Sequence, residues 1–142
     1  MHCAALVVTL VALLGPCVGF DVFLCPHTHL DAGWTSTCEE YYQQKVKFIV
    51  DSITDVLHCS KDKVFNWAEI GYLARWYEDA DASRAQKFKD LVACGKIQFA
   101  GAGWVQHDEC VAHGRSAINQ MTHGHRFLID MFGADHAPTF GW

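Results

Sequence analysis

The sequence lacks the composition of a disordered, fibrous or nucleic-acid-binding chain. Its 142 residues include only three Pro and eleven Gly, and 51% of them are hydrophobic. This composition argues against collagen-like and linker-like chains and predicts one globular unit with a single core. Sixteen Asp and Glu outnumber eleven Lys and Arg, and there is no basic run. Because nucleic-acid binding depends on clustered positive charge, the sequence predicts no nucleic-acid partner.

The first twenty residues contain no Asp, Glu, Lys or Arg. Residues 4–14 form an apolar run with one interruption, which is too short to span a bilayer. Pro16 follows this run, and Cys17 and Gly19 are small residues at the −3 and −1 positions of a signal-peptidase site. We therefore predict a signal peptide over residues 1–19 and no transmembrane segment. The alternative is a buried N-terminal core segment, since the stretch also lacks the usual Lys or Arg at its start.

Cysteine pairs of the form CxxC are absent, as are Asn-x-Ser/Thr glycosylation sites. A zinc site built from cysteines is therefore disfavoured. Removal of the predicted signal peptide leaves an odd number of cysteines, namely Cys25, Cys38, Cys59, Cys94 and Cys110. In an oxidising compartment an odd count predicts a free thiol or a disulfide partner outside this chain.

Helical and extended patterns alternate along residues 20–142. Short apolar runs predict strands over residues 21–26, 63–67 and 97–100, with a possible fourth strand near Pro138. Apolar spacing of three and four predicts helices starting at the capping sequence 36–39 and over 70–78, 83–94 and 116–132. The inward face of the first helix is predicted as Tyr42, Val46, Ile49, Ile53 and Val56. The alternation predicts an α/β fold with a parallel sheet and helical crossovers.

Ligands of parallel α/β folds gather at the carboxyl ends of the strands. Polar residues follow all three predicted strands, at residues 27–31, at Glu69 and at residues 106–109. Past Pro26 an extended chain would place His27, His29 and Asp31 on one face, because side chains alternate along a strand. Imidazole and carboxylate groups suit Zn²⁺, although a catalytic site needs a third protein ligand and an open position.

Two further residues of this stretch fit a ligand site. Gly33 would permit a sharp turn, and Trp34 offers a flat apolar face of the kind that stacks on a sugar ring. The alternative is that His27 and His29 form local hydrogen bonds and that Trp34 belongs to the core.

The other polar clusters carry weaker signals. Glu69 fits a buried hydrogen-bonded carboxylate as well as a site residue, and residues 107–109 fit a loop that satisfies its own backbone. His123 and His125 lie two apart on a predicted helix, which disfavours a joint metal site. A group of aromatic residues is predicted to belong to the core, namely Trp67, Tyr72, Trp76 and Tyr77.

Three blocks of the sequence resemble glycoside hydrolase family 38, the class II α-mannosidases. They are residues 26–34 (PHTHLDAGW) with 37–42 (TCEEYY), residues 95–105 (GKIQFAGAGWV) with Asp108 and Glu109, and residues 120–128 (QMTHGHRFL) with Phe132 and Gly133. The blocks occur in the family's order and cover nearly all of residues 20–142. The form His-Thr-His resembles the lysosomal branch more than the Golgi processing enzymes.

The resemblance implies a zinc-dependent, retaining α-mannosidase that removes terminal mannose from N-glycan-type oligosaccharides. His29 and Asp31 match zinc ligands of the family, and Trp34 matches a tryptophan that packs against the bound mannose. His27 matches no direct zinc ligand. Leu30 and Ala32 depart from the family's usual residues, and neither position supplies a ligand.

The family's nucleophile and acid/base carboxyl match no residue of this chain and are expected beyond Trp142. The resemblance therefore implies an N-terminal part of a β/α-barrel-like catalytic domain, with the rest of the same protein as its partner. The isolated chain is expected to be inactive. The implied location is the secretory pathway, with the lysosome favoured over the exterior.

Two other functions remain open from the sequence. A metal-dependent amidohydrolase-type enzyme also has His-x-His after its first strand, and its ligands would be His27 and His29. A secreted, non-catalytic sugar-binding domain would instead use Trp34 and nearby aromatic residues.

Overall fold

The computed structural model describes residues 20–107 and 113–141. In chain order the elements are α1 (Cys38–Tyr41), a π-helical turn (Tyr42–Val46), α2 (Lys47–Cys59), β1 (Phe65–Trp67), α3 (Ile70–Asp79), α4 (Ala82–Ala93), β2 (Ile97–Phe99), α5 (Gly114–Phe132) and a 3₁₀ turn (Ala134–His136). The predicted signal peptide and the residues Asp108, Glu109, Cys110 and Trp142 lie outside the described residues. No helix of the described part is long and apolar enough to cross a membrane.

The first helix starts one residue later than the sequence predicts. Thr37 is its N-cap, and the Thr37 and Glu40 side chains each pair with the other's backbone N–H in a capping box. The sequence predicts this box at residues 36–39, because Ser36 and Glu39 have the same kinds of side chain and the same spacing as Thr37 and Glu40.

The inward face of this helix also differs from the predicted one. The buried positions are Tyr42, Val46, Val50, Thr54 and Leu57. The predicted Ile49 and Ile53 are partly buried and pack against the core, whereas Val56 is 53% exposed, so the prediction was wrong at Val56. The reason is the π-helical turn, because its extra residue shifts the inward face by one position relative to a regular α-helix.

The sheet has two parallel strands in the described residues. Phe65 of β1 pairs with Ile97 of β2, and Trp67 pairs with Phe99. Both strands lie inside their predicted ranges and are shorter than predicted. The parallel pairing and the helical crossover between the strands confirm the α/β class.

The predicted first strand over residues 21–26 does not form. Val22, Phe23 and Leu24 are 77–90% exposed, and the one bridge of this region joins His27 to Asn66 in the parallel sense. The apolar run suggested burial, but no element of the described part covers it. Residues 137–141 form no strand either, since the chain there follows a 3₁₀ turn and then an irregular path, so the fourth strand predicted near Pro138 does not form in the described part.

The remaining helices match their predicted ranges to within two residues. Asp81 caps α4 by accepting a hydrogen bond from Arg84 N. Gly95 and Gly133 follow the ends of α4 and α5 at φ values of 77° and 95°, which a residue without Cβ adopts freely.

The core lies between the helices and one face of the sheet. Its largest fully buried side chains are aromatic, with Trp67, Trp76 and Phe88 at most 1% exposed. Tyr72 is also buried and Tyr77 packs partly buried against the same cluster, which confirms the predicted aromatic core. The described cysteines Cys25, Cys38, Cys59 and Cys94 are free and exposed.

Candidate metal site

Residues 28–31, here called the 28–31 segment, follow the bridge to β1 at the carboxyl end of the sheet. Thr28 is 5% exposed, and its Oγ1 accepts a hydrogen bond from Ala68 N at 3.0 Å. The amide of Leu30 donates to Glu69 Oε1 at 2.7 Å. The hydroxyl of Tyr72 donates to the carbonyl oxygen of Asp31 at 3.1 Å. The segment is therefore anchored by groups from the junction between β1 and α3.

Burial alternates over residues 27–29, as strand geometry predicts. The side chain of Thr28 points inward, whereas His27 and His29 are exposed. His29 Nε2 and Asp31 Oδ1 lie 3.3 Å apart, with 39% and 32% of the two side chains exposed. His27 Nδ1 lies 2.9 Å from the carbonyl oxygen of Thr28. The structure thus brings His29 and Asp31 together in one accessible pair.

The His29–Asp31 pair fits two positions of a tetrahedral zinc site. Two ligand atoms bonded to one tetrahedral zinc at about 2.0–2.1 Å lie about 3.4 Å apart, close to the observed separation. An imidazole nitrogen and a carboxylate oxygen are also suitable donors for this ion. No group of three or more His, Cys, Asp or Glu that could hold a metal ion occurs within residues 20–107 and 113–141. The described residues therefore offer two donors, and further ligands would come from elsewhere.

Glu69 is the buried carboxylate of this region, with 1% of the residue exposed. Burial raises the pKa of its carboxyl, and the hydrogen bond from the Leu30 amide opposes this shift. No hydrogen bond to Oε2 occurs among the described residues. The sequence left Glu69 open between a site residue and a structural carboxylate, and its contact with Leu30 places it directly beneath the metal-capable pair.

Tyr72 was predicted only as a core residue, and its polar contact was missed. Burial raises the pKa of its hydroxyl to about 12, so the group remains a hydrogen-bond donor at neutral pH. The available signal was the choice of Tyr rather than Phe at a core position, because a buried tyrosine hydroxyl usually has a partner.

Trp34 lies on the surface near the end of this loop. It is 73% exposed, so the alternative of a core tryptophan does not hold. Gly33 before it has a φ of 84°, the left-handed conformation that the sequence anticipated for a turn. A cavity of about 250 Å³ lies beside this loop, between Ala32, Tyr72 and Trp104.

Residues 101–105, here called the 101–105 segment, form the neighbouring loop after β2. Trp104 N donates to Gln120 O at 2.9 Å, and Val105 N donates to Gln120 Oε1 at 3.0 Å. His125 Nε2 lies 2.8 Å from Gly101 O, and the ring of His123 packs against that of Trp104. The two histidines of α5 therefore pack against this segment.

Close backbone contacts complete the packing of the 101–105 segment. Ile70 N and Gly71 N at the start of α3 donate to Gly103 O and Trp104 O at 2.9 and 2.8 Å. A Cβ atom on Gly124 would overlap Ala102 O, and one on Gly71 would lie 2.7 Å from Trp104 O. Only glycine fits at these two positions without a shift of the backbone.

A larger cavity, of about 640 Å³, lies near the amino ends of the strands. It is lined by apolar side chains that include Leu24, Ile53 and Val64. Its position at the opposite end of the sheet separates it from the His29–Asp31 pair.

Comparison with known proteins gives consistent matches. Residues 19–142 match the family described as glycosyl hydrolases family 38 N-terminal domain. The sequence is 42% identical to alpha-mannosidase C and 43% identical to alpha-mannosidase B of Dictyostelium discoideum, each over 122 residues. It is 35% identical to the lysosomal alpha-mannosidase of Homo sapiens over 130 residues.

These alignments include 86% of this chain. In the relatives they span much less, namely 11% of alpha-mannosidase C, 12% of alpha-mannosidase B and 13% of the human protein. The chain therefore corresponds to about one eighth of their length.

Proposed function

Since the chain belongs to glycosyl hydrolase family 38, we propose that it carries the first part of a zinc-dependent α-mannosidase active site. His29 and Asp31 are the proposed zinc ligands. The observation that carries this proposal is the 3.3 Å separation of His29 Nε2 and Asp31 Oδ1 in an anchored, accessible loop at the carboxyl end of the sheet. The names of the relatives support the activity, and the fit of the donor pair supports the ion.

The proposed reaction is retaining hydrolysis of terminal α-mannose from N-glycan-type oligosaccharides. A bound zinc would supply a Lewis acid for sugar hydroxyls. In the proposed site His29 and Asp31 would hold that ion in place, and the exposed ring of Trp34 would offer an apolar face to the sugar. Retaining hydrolysis also requires a nucleophile and an acid/base carboxyl. We assign neither to this chain, so we expect no turnover by the 142 residues alone.

The wider setting is proposed on the same basis. The two-stranded parallel sheet would be the first part of a β/α-barrel-like catalytic domain, completed by the rest of the same protein. The apolar run over residues 4–14, followed by Cys17 and Gly19, supports a signal peptide over residues 1–19. The lysosomal relative supports a route through the secretory pathway to the lysosome, with secretion as the alternative.

The zinc proposal is tested by calorimetric titration of the purified chain with Zn²⁺. We expect weak binding of one ion, because two protein ligands leave the remaining positions to water. His29→Ala and Asp31→Ala should each lower the affinity at least tenfold. His27→Asn is the matched control and should leave the affinity within about twofold.

Three results would contradict the proposal. Loss of binding in His27→Asn would favour the amidohydrolase-type alternative, in which His27 is a ligand. Saturable mannose binding that survives chelation and His29→Ala would favour the non-catalytic sugar-binding domain. Zinc-dependent turnover of 4-nitrophenyl α-mannoside by the 142-residue chain would show that the nucleophile has been misplaced. Thermal unfolding of each variant without metal separates lost ligands from lost folding.

A further inference from the structure

We infer that Glu69 and Tyr72 position the His29–Asp31 pair for metal binding by fixing the backbone on both sides of Asp31. This inference rests on the zinc proposal for the same pair. Glu69 Oε1 accepts from the amide of Leu30, the residue between the two ligands. Tyr72 donates to the carbonyl of Asp31 itself. Neither residue is proposed as a ligand.

The exposed side chains of the pair make backbone anchors important. About a third of each side chain is accessible, so packing alone does not restrain them. The peptide between His29 and Leu30 also carries the Leu30 amide, so its rotation changes ψ of His29 and turns the two side chains relative to each other. The bridge to β1 ends at residue 27, and no helix or strand includes residues 28–31. The hydrogen bond to Glu69 therefore restrains the rotation that would separate the two donor atoms.

Glu69 is itself held firmly. It is the residue before α3, and its carbonyl accepts hydrogen bonds from Trp67 Nε1 at 2.9 Å and Leu73 N at 3.3 Å. With 1% of the residue exposed, its side chain is enclosed by the surrounding protein. The 2.7 Å separation of Glu69 Oε1 and the Leu30 amide nitrogen also lies at the short end of the range for such hydrogen bonds.

Tyr72 lies in the first turn of α3, close to Glu69. It lies three residues after Glu69, and positions three apart lie on the same side of a helix. The first turn of α3 thus presents both anchors to one short segment, from Leu30 to Asp31. Groups that orient metal ligands in this way commonly change metal affinity 10–100-fold when they are removed.

The test compares Zn²⁺ affinity in variants of the full chain. Glu69→Ala removes the acceptor, and we expect the affinity to fall about 10–100-fold. Glu69→Gln keeps an oxygen acceptor for the Leu30 amide and should bind within about threefold of the unchanged chain. Glu78→Ala is the matched control, because this carboxylate lies on the same helix with 73% of its side chain exposed. Substitution there should leave the affinity unchanged.

Tyr72→Phe provides a variant that removes only a hydroxyl. It should fold, and its affinity should fall at least threefold. If Glu69→Ala does not fold, Glu69→Leu, which fills more of the same space without an acceptor, replaces it, and its affinity should also fall about 10–100-fold. Co²⁺ absorption in the same variants reports the geometry around the ion, and the spectrum of Glu69→Gln should resemble that of the unchanged chain.

The outcomes separate this inference from the zinc proposal. If the unchanged chain binds zinc through His29 and Asp31, and both Tyr72→Phe and the folded Glu69 variant bind equally well, the positioning role is wrong and the zinc site stands. If the unchanged chain binds no zinc, the zinc proposal fails and the inference falls with it. Hydrogen exchange of the Leu30 amide in the metal-free chain then shows whether its hydrogen bond to Glu69 exists. The amide should be protected in the unchanged chain and should lose protection in the folded variant that lacks the Glu69 acceptor.

Discussion

The two loops at the carboxyl end of the sheet are held in different ways. The 28–31 segment is anchored by the polar groups of Ala68, Glu69 and Tyr72. The 101–105 segment is also hydrogen-bonded, but it depends on close backbone approach at glycines, including Gly71 and Gly124. Both loops contact the first turn of α3. Loss of a hydrogen bond in the 28–31 segment removes one local restraint, so we expect substitutions there to act locally. An added side chain at a close backbone contact of the 101–105 segment pushes α5 or α3 away, so we expect substitutions there to destabilise the whole fold.

The largest expected effect on stability is that of Gly124→Ala, in the contact between α5 and the 101–105 segment. The added Cβ would overlap Ala102 O, and α5 would have to move away from the 101–105 segment. We expect the free energy of unfolding to fall by about 3 kcal/mol or more, at the upper end for added atoms in a packed interior. Chemical denaturation followed by far-UV circular dichroism measures it.

Gly114→Ala is the matched control on the same helix. No atom lies within 4 Å of the Cβ position at Gly114, so this change should be neutral or stabilise by up to about 1 kcal/mol. Equal destabilisation by the two substitutions would mean that the close contact at Gly124 does not determine the effect, because helix propensity favours Ala over Gly at both positions.

The intermediate effect is expected for Thr28→Val, which keeps the shape of the side chain and removes its hydroxyl. The buried amide of Ala68 then loses its acceptor, and we expect a loss of about 1–3 kcal/mol in unfolding free energy. Thr122→Val on the exposed face of α5 should cost much less, because its hydroxyl bonds only within its own helix. A loss as large as that of Gly124→Ala would contradict the local character of the first loop.

The smallest effect on stability is expected from a substitution of Arg75, which lies on α3 outside both loops. Arg75 bonds to Glu39 at 3.1 and 3.0 Å and to Asp79 at 2.7 Å. These bonds lower the pKa of both carboxyl groups. A lowered carboxyl pKa stabilises the fold above the ordinary values of 4.5 and 3.8, and this stabilisation is lost as pH falls through the folded-state values.

Comparison of Arg75→Met with the unchanged chain tests this contact. The unchanged chain should have a slightly higher melting temperature near neutral pH. The difference should shrink toward zero as pH falls below the ordinary carboxyl values, and the partly exposed setting keeps it small throughout. A difference that stays constant with pH would show that Arg75 acts by packing on the Tyr42 ring instead.

Local patterns in the sequence predicted much of the fold. The ranges of α3, α4 and α5 follow from apolar spacing, and the parallel sheet follows from the alternation of helical and extended patterns. The buried face of α2 could not be predicted from apolar spacing, because no residue type indicates the π-helical turn at Tyr42–Val46. Apolar residues alone also gave the wrong result for Val22, Phe23 and Leu24, where burial depends on a covering element and not on the residues themselves.

The candidate site shows the same limit. Strand alternation predicted that His27, His29 and Asp31 share a face, and the structure places the donor atoms of His29 and Asp31 3.3 Å apart. The anchors could not be read from the sequence, since the contacts of Leu30 with Glu69 and of Asp31 with Tyr72 join residues with no local pattern in common. The requirement for glycine at position 124 likewise depends on where α5 meets Ala102.

The long separation between the 28–31 segment and its anchors has a consequence for synthesis. Thr28, Leu30 and Asp31 bond to groups 39 to 41 residues further along the chain. At roughly 5–20 residues per second, the segment leaves the ribosome about 2–8 s before its anchors. During that interval the segment has none of these restraints, and the histidine and aspartate form a fixed pair only when the first turn of α3 has emerged and folded.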